Sequence, residues 1–148
     1  MSLPTYLVGP VQTKAYAILR ANVYSVLERY ELTSSHWGLL GVVLEARDGI
    51  RQSEIARALN VKPPLITILV ANLQQKNIIK SVPNPFDTRS KLVIVTPTGK
   101  KFIKNIEAEL HTTLSELLLG LTEDDLKAYY RVLETIISNQ SRFNSESV

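Results

Sequence analysis

Two consecutive prolines, Pro63 and Pro64, place the strongest constraint on how this chain can fold. Proline lacks an amide hydrogen and clashes with the preceding turn, so the pair can lie only in the first turn of a helix. An apolar face at helical spacing follows it: Ile66, Leu69, Val70 and Leu73. Residues 53–59 form a helical pattern of their own, and Asn60-Val61 suits a tight turn. The sequence therefore predicts two short helices joined by a tight turn.

Two β-rich runs follow these helices and indicate a β-hairpin. They span residues 78–82 and 92–95, and the connection between them ends in a charged tip at residues 87–90. Thr96-Pro97 then supplies a cap and a first helical residue. A helix-turn-helix followed by a hairpin is a winged helix-turn-helix. The predicted fold class is mainly α with a small β-wing.

Helical patterns flank this winged unit on both sides and predict a helical dimerisation lobe. The first helix is expected to begin at residues 9–10, and residues 10–32 carry one apolar stripe. Residues 98–141 contain two further helices, the last of which starts at Thr122. These stripes carry more apolar surface than a winged unit over residues 33–97 can cover. A homodimer is therefore expected.

Local signals place the boundaries of the remaining elements. Thr33 is predicted to cap a second helix that ends at the Asp48-Gly49 turn, and a short strand over residues 49–51 could follow. Apolar residues at spacings of three and four predict one long helix near the C-terminus: Ile103, Ile106, Leu110, Leu114 and Leu117.

Basic side chains are concentrated in residues 50–104. This segment holds ten basic and two acidic residues, a net charge of +8, whereas the whole chain carries +3 and the remainder therefore −5. Focused positive charge attracts polyanions and supplies partners for phosphates. Double-stranded DNA is the expected partner, and a surface that is basic only for solvation is the alternative.

The composition excludes several classes of site. The chain has no cysteine, which excludes thiolate metal sites, disulfides and thiol-based redox sensing. His36 and His111 have no ligand spacing around them, so no metal site is expected. Without a nucleophile–base pair or a glycine-rich phosphate loop, neither an enzyme nor a cofactor is expected.

Targeting signals are missing from the sequence as well. No apolar run reaches the ~18 residues that a membrane span requires. The first four residues lack the basic and apolar regions of a signal peptide. We therefore expect a cytoplasmic protein without a membrane partner.

The order of these motifs is similar to that of the multiple-antibiotic-resistance regulator (MarR) family. The helix-turn-helix part of the resemblance lies in residues 53–56, 59–61 and 66–77. Asp87-Thr88-Arg89-Ser90-Lys91, followed by Thr96-Pro97-Thr98-Gly99, resembles the wing signature of that family. The resemblance extends over nearly the whole chain, and the wing is its specific part.

The resemblance implies a homodimeric winged-helix transcription factor, usually a repressor that is released by a small ligand or an oxidant. It implies that residues 63–76 enter the major groove, that Arg89 reaches the minor groove, and that Asp87 steadies Arg89. The chain departs from the family pattern at Ile68 and Asn72, where basic residues are common, and at Arg51, where a Ser or Thr cap is usual. The residues expected to bind DNA are Lys62, Pro64, Leu65, Thr67, Ile68, Asn72, Asp87, Arg89 and Lys91.

The predicted groove-facing surface of the second motif helix is unusually apolar. Counting away from the buried residues, it consists of Pro64, Leu65, Thr67, Ile68, Ala71 and Asn72. Only Thr67 and Asn72 offer clear hydrogen bonds to base edges. Phosphate and minor-groove contacts are therefore expected to contribute a large share of the affinity.

Aromatic residues on the first two helices suggest a place for an effector between the two lobes. The expected lining is Tyr16, Tyr24, His36 and Trp37, and packing in the core is the alternative for each. With no thiol to oxidise, the effector is expected to be a non-covalent, apolar or anionic small molecule.

Two classes of function fit these observations. The first is a sequence-specific DNA-binding transcriptional regulator, acting as a repressor relieved by the small molecule. The second is a winged-helix protein-interaction module without specific DNA binding, which the apolar residues Leu65 and Ile68 keep open. The salt dependence of binding to DNA separates the two.

Overall fold

The computed structural model describes residues 5–145. These residues form six helices and one two-stranded antiparallel sheet, whose strands lie between the fourth and fifth helices in the chain. This mainly α architecture with a small sheet confirms the predicted fold class. The chain forms two compact units, one that ends at Leu114 and one that begins at Ser115. The elements are α1 (Thr5–Arg29), α2 (Ser34–Glu45), α3 (Gln52–Ala58), α4 (Pro63–Gln75), β1 (Ile79–Pro83), β2 (Lys91–Val95), α5 (Pro97–Ser115) and α6 (Glu123–Ser145).

The helix-turn-helix forms as local rules predict. Pro63 and Pro64 occupy the first two positions of α4. Backbone N–H groups at these positions would have no acceptor within the helix, so the absence of an N–H on proline costs nothing there. Asn60 lies in the left-handed region at φ 51°, which turns the chain between α3 and α4. Asn77, at φ 57°, ends α4 in the same way.

The first unit has one hydrophobic core, to which every helix from α1 to α5 and both strands contribute. From α4 it includes the four predicted residues: Ile66, Leu69, Val70 and Leu73. Among the described side chains of α1, the fully buried ones lie in its last turns, Val26 and Leu27. Glu109 of α5 holds the end of α1, because its carboxylate accepts hydrogen bonds from the Tyr30 hydroxyl at 2.5 Å and from Arg29 at 2.6 Å. The end of α1 thus packs with the winged unit, and the predicted separate dimerisation lobe stays a prediction.

The wing consists of β1 and β2 and one additional pairing. Ile79 pairs with Val95, and the register runs to Pro83 opposite Lys91. In place of the expected strand over residues 49–51, a single β-bridge joins Ile50 to Val93. Gly49 precedes the bridge at φ 98°, and a Cβ there would lie 2.9 Å from side-chain atoms of β2. This close approach to β2 requires glycine.

The Thr-Pro-x-Gly sequence that follows the wing has a clear structural role. The Thr96 hydroxyl lies 2.7 Å from the Asn77 carbonyl oxygen and accepts the Gly99 amide hydrogen at 2.9 Å. A Cβ on Gly99 would lie 2.0 Å from the Ile78 carbonyl oxygen. The sequence therefore caps α5 and lets its first turn pack directly against the chain at the end of α4.

Two predicted helix boundaries are wrong. The first helix begins at Thr5, not at residues 9–10, so Pro10 lies inside α1. This is tolerated because Pro10 lies near the N-terminus and removes only one hydrogen bond, to the carbonyl four residues earlier. α5 ends at Ser115, so Leu117 lies in the turn after it rather than on the helix. A three-to-four spacing cannot show this end, because apolar residues continue through the turn.

The second unit consists of that turn and α6. The Asp125 carboxylate accepts the Thr122 amide hydrogen at 2.8 Å, and the Thr122 hydroxyl accepts that of Asp125 at 3.2 Å, which confirms the predicted capping box. Several apolar side chains of α6 are exposed: Tyr129, Val132 and Ile136 are 49%, 52% and 57% exposed. Among the helices described in residues 5–145, none is long and apolar enough to cross a membrane.

Candidate nucleic-acid interface

The first motif helix, α3, has an N-terminus built around Arg51 and Glu54. The Glu54 carboxylate accepts the Arg51 backbone N–H at 3.0 Å and its guanidinium Nε–H at 3.2 Å. These bonds hold the pKa of the Glu54 carboxyl below its ordinary value and raise the pKa of Arg51. A guanidinium has no acceptor, so Arg51 cannot cap the first-turn amides as Ser or Thr would. The amides at the start of α3 are therefore left without that side-chain acceptor.

The second motif helix, α4, presents the predicted set of residues to the outside. Pro64, Leu65, Thr67, Ile68, Ala71 and Asn72 are all exposed, on the side away from the buried face. Ile68 is 58% exposed and Leu65 is 39% exposed. Along all 13 residues of α4 there is no charged side chain.

The two polar residues of this surface lie at its opposite edges. At roughly 100° per residue, Thr67 and Asn72 are about 140° apart around the helix axis. The Thr67 hydroxyl lies 3.3 Å from the Pro63 carbonyl oxygen and 3.4 Å from Gln52 Oε1. Asn72 instead borders a depression on the other edge, with Lys76 and Gln75. The centre of the exposed surface of α4 is therefore apolar.

The wing tip is held by a network of short-range hydrogen bonds. The Asn84 side chain accepts the Phe86 amide hydrogen at 3.0 Å and donates to the Ser90 hydroxyl at 2.9 Å. Asp87 Oδ1 accepts the Arg89 amide hydrogen at 3.0 Å and lies 4.0 Å from Arg89 Nε. The Arg89 side chain is nevertheless 95% exposed. The turn is thus fixed while the guanidinium projects into solvent.

The wing and α4 are connected directly. Gln74 of α4 donates a hydrogen bond from Nε2 to the Ser81 hydroxyl of β1 at 2.8 Å. Lys62, at the start of α4, and Lys91, at the start of β2, are exposed. The structure therefore combines an apolar helix surface with a wing that projects a cation, and one basic side chain, Lys62, directly precedes the helix.

The family model described as MarR family matches residues 30–90, from the end of α1 through the wing tip. Residues 30–90 thus carry the sequence pattern of the MarR family.

Solved structures of MarR-family regulators share this fold. A transcriptional regulator of the family from Rhodococcus sp. RHA1 has a TM-score of 0.76 at 18% identity, covering 92% of this chain and 96% of that chain. CouR from Rhodococcus jostii RHA1, bound to p-coumaroyl-CoA, has a TM-score of 0.76 at 19% identity, covering 87% and 90%. A mutant MarR from E. coli complexed with operator DNA has a TM-score of 0.69 at 19% identity, covering 92% and 99%. At identities this low, the TM-scores establish a shared fold and nothing further.

The four residues predicted to line an effector pocket do not all border one of the two depressions that include His36 or Trp37. Trp37 borders a depression on α5, with Leu110 and His111, whereas His36 borders the depression beside Asn72. Neither depression is lined by Tyr16 or Tyr24, which are 60% and 49% exposed. The effector pocket therefore stays a prediction.

Sequence reasoning missed two residues beside the predicted DNA-binding set. Gln52, the first residue of α3, lies within hydrogen-bond distance of Thr67 and adds an amide to that edge of α4. Its position at a helix start next to the turn was the signal that could have identified it. Phe86, at the wing tip, is 96% exposed. Nothing local predicts its exposure, because the side chain could equally have folded onto the hairpin.

Proposed function

We propose that this chain is a sequence-specific DNA-binding transcriptional regulator. The observation that carries the proposal is the exposed surface of α4 beside a rigid wing that projects Arg89. A helix of this size fits the major groove, and a projecting guanidinium fits the negative potential of a narrow minor groove. In this proposal Thr67 and Asn72 contact base edges, while Lys62 and Lys91 contact phosphates.

The regulator is proposed to act as a homodimer and a repressor in the cytoplasm, without catalysis. A mutant MarR has been solved with operator DNA, which supports DNA as the partner. CouR has been solved with p-coumaroyl-CoA, which supports a small-molecule effector that binds without covalent chemistry. By analogy, an apolar or anionic effector would relieve repression here. Tyr16, Tyr24, His36 and Trp37 remain its proposed lining.

A salt titration tests DNA binding. The affinity for a random duplex and for an operator selected from a randomised library is measured between 50 and 200 mM salt, a range over which proteins with several phosphate contacts lose roughly 10³–10⁵ in affinity. We expect a steep salt dependence on both duplexes and tighter binding to the operator. A flat response on both would exclude the proposal.

A protein-interaction module is the second candidate, and the exposure of Ile68 is the observation that favours it. A partner protein that buries an apolar surface would bind with little dependence on salt. Binding to DNA that is weak and insensitive to sequence would favour this candidate over the regulator.

A further inference from the structure

The outer surface of α4 is unusual in having an apolar centre and no charge. Pro64, Ile68 and Ala71 lie opposite the buried Ile66 and Leu73, and all three are exposed. Packing within the first unit therefore does not account for them. Thr67 lies at one edge, Asn72 lies towards the other, and the polar Gln75 lies in the last turn of the helix. The large apolar residue that projects from the middle of the preceding turns is therefore Ile68.

The charge around this surface indicates what covers it. α4 itself is uncharged, but residues 50–104, which surround it in the chain, carry a net +8. Lys62 directly precedes the helix, and the wing that bears Arg89 is tied to α4 by the Gln74–Ser81 hydrogen bond. An apolar centre flanked by cations fits a ligand with apolar groups between rows of anions. In the major groove, the only apolar group on a base edge is the C5-methyl group of thymine, and phosphates line both sides.

We propose that Ile68, with Leu65 and Pro64, recognises pyrimidine C5-methyl groups in the major groove. The inference rests on the proposed DNA binding and adds the chemical group that is read. It assigns specificity to thymine at one or two positions of each half-site. A 5-methylcytosine presents the same methyl group at the same ring atom, so cytosine methylation at those positions is expected to be read as well.

Replacement of thymine by deoxyuridine tests the inference, because it removes only the C5-methyl group. Each thymine of a selected operator is replaced in turn, and Kd is measured at fixed salt. One buried methyl group corresponds to about a fourfold change in affinity. We expect about fourfold weaker binding at one or two positions of each half-site and no change elsewhere. At those positions, 5-methylcytosine is expected to bind more tightly than cytosine by a similar factor.

Two variants assign the effect to this surface. Ile68→Ala is expected to bind thymine and deoxyuridine operators equally, with its thermal unfolding unchanged because Ile68 is 58% exposed. Leu119→Ala, which truncates an 86% exposed apolar residue in the turn between α5 and α6, is the matched control and is expected to keep the discrimination.

The outcomes separate this inference from the proposed function. Sequence-specific binding in which deoxyuridine equals thymine at every position would overturn methyl recognition and leave the regulator in place. Discrimination that persists in Ile68→Ala would overturn the assignment to α4. If no duplex is bound in a sequence-dependent way, the proposed function itself fails, and the surface is then available to a protein partner.

Discussion

At the scale of single residues, Arg89 is the proposed DNA contact whose removal should leave the fold unchanged. Hydrogen bonds made by the side chains of Asp87 and Asn84 fix the turn that carries Arg89, so the turn does not depend on the Arg89 guanidinium. Arg89→Ala should lower operator affinity by roughly 1–3 kcal/mol and reduce the salt slope by about one unit. Fluorescence anisotropy over a salt series measures both quantities.

Thr88→Ala is the matched control for Arg89→Ala, because it changes an exposed, neutral residue of the same turn. It should leave affinity and salt slope unchanged. Thermal unfolding should also be unchanged in both variants, since the Arg89 side chain is 95% exposed. An Arg89→Ala variant that binds the operator as tightly as wild type would show that the wing arginine does not contact DNA.

Asn72 should affect specificity more than affinity. Its side chain is exposed at one edge of α4, where an amide can pair with adenine. Asn72→Ala should relax the base preference at one position of each half-site by roughly 1–3 kcal/mol, with little change on random DNA. Selection of preferred sequences by wild type and variant, from the same library, measures the change. An unaltered preference at every position would contradict it.

At the scale of elements, the N-terminus of α2 contains a titratable cap. The His36 ring accepts the Thr33 backbone N–H at Nδ1, at 3.1 Å, so this nitrogen must be unprotonated. Burial, and then the positive charge of Lys76, lower the pKa of His36 below its ordinary value. At pH values above ~6.5, the ordinary pKa of histidine, the neutral ring therefore contributes its full stabilisation of the fold. This contribution is lost as the pH falls through the lowered pKa of His36 in the folded protein.

The expected effect is that of losing one helix cap, about 1 kcal/mol, or roughly 2–4 °C in Tm. Tm of wild type should fall by this amount between pH 7.5 and 5. His36→Gln keeps a capping-box side chain that does not titrate and should show a smaller fall. Circular dichroism at several pH values measures both. Identical pH profiles for the two proteins would show that another group is responsible.

At the scale of the whole molecule, exposed apolar residues on α6 indicate association with a second copy. Tyr129, Val132 and Ile136 share one side of the helix at spacings of three and four. A homodimer would cover them and place two α4 helices about one DNA turn apart. Sedimentation should show a dimer at micromolar concentration. A wild-type monomer under these conditions would exclude this assembly.

A double variant locates the dimer interface. Val132→Glu with Ile136→Glu places charge on the apolar side and should produce a monomer with weakened operator binding, because each half-site is then bound alone. Ser138→Glu changes an exposed polar residue on the opposite side of the same helix and should remain dimeric. Retention of the dimer by the double variant would place the interface elsewhere.

Local chemistry by itself determined most of the elements of this chain. The start of α4 follows from Pro63 and Pro64, the start of α2 from Thr33, and the turn after α4 from Asn77. Each of these signals acts within one turn of a helix, through a missing amide hydrogen, a cap or a left-handed residue. The buried side of α4 followed from spacing for the same reason, since helical geometry fixes which residues share a side.

Contacts between distant residues were decided only by the tertiary structure. Two examples are the β-bridge between Ile50 and Val93 and the hydrogen bond between Thr67 and Gln52. Each joins segments that are distant in the sequence, and no local sequence pattern predicts that they meet. The predicted groove-facing residues of α4 followed from helical spacing, whereas the predicted effector lining depends on how α1 and α2 pack and stays a prediction. Periodicity determines which side of a helix is apolar, but only packing determines what that side meets, because burial depends on every neighbouring element at once.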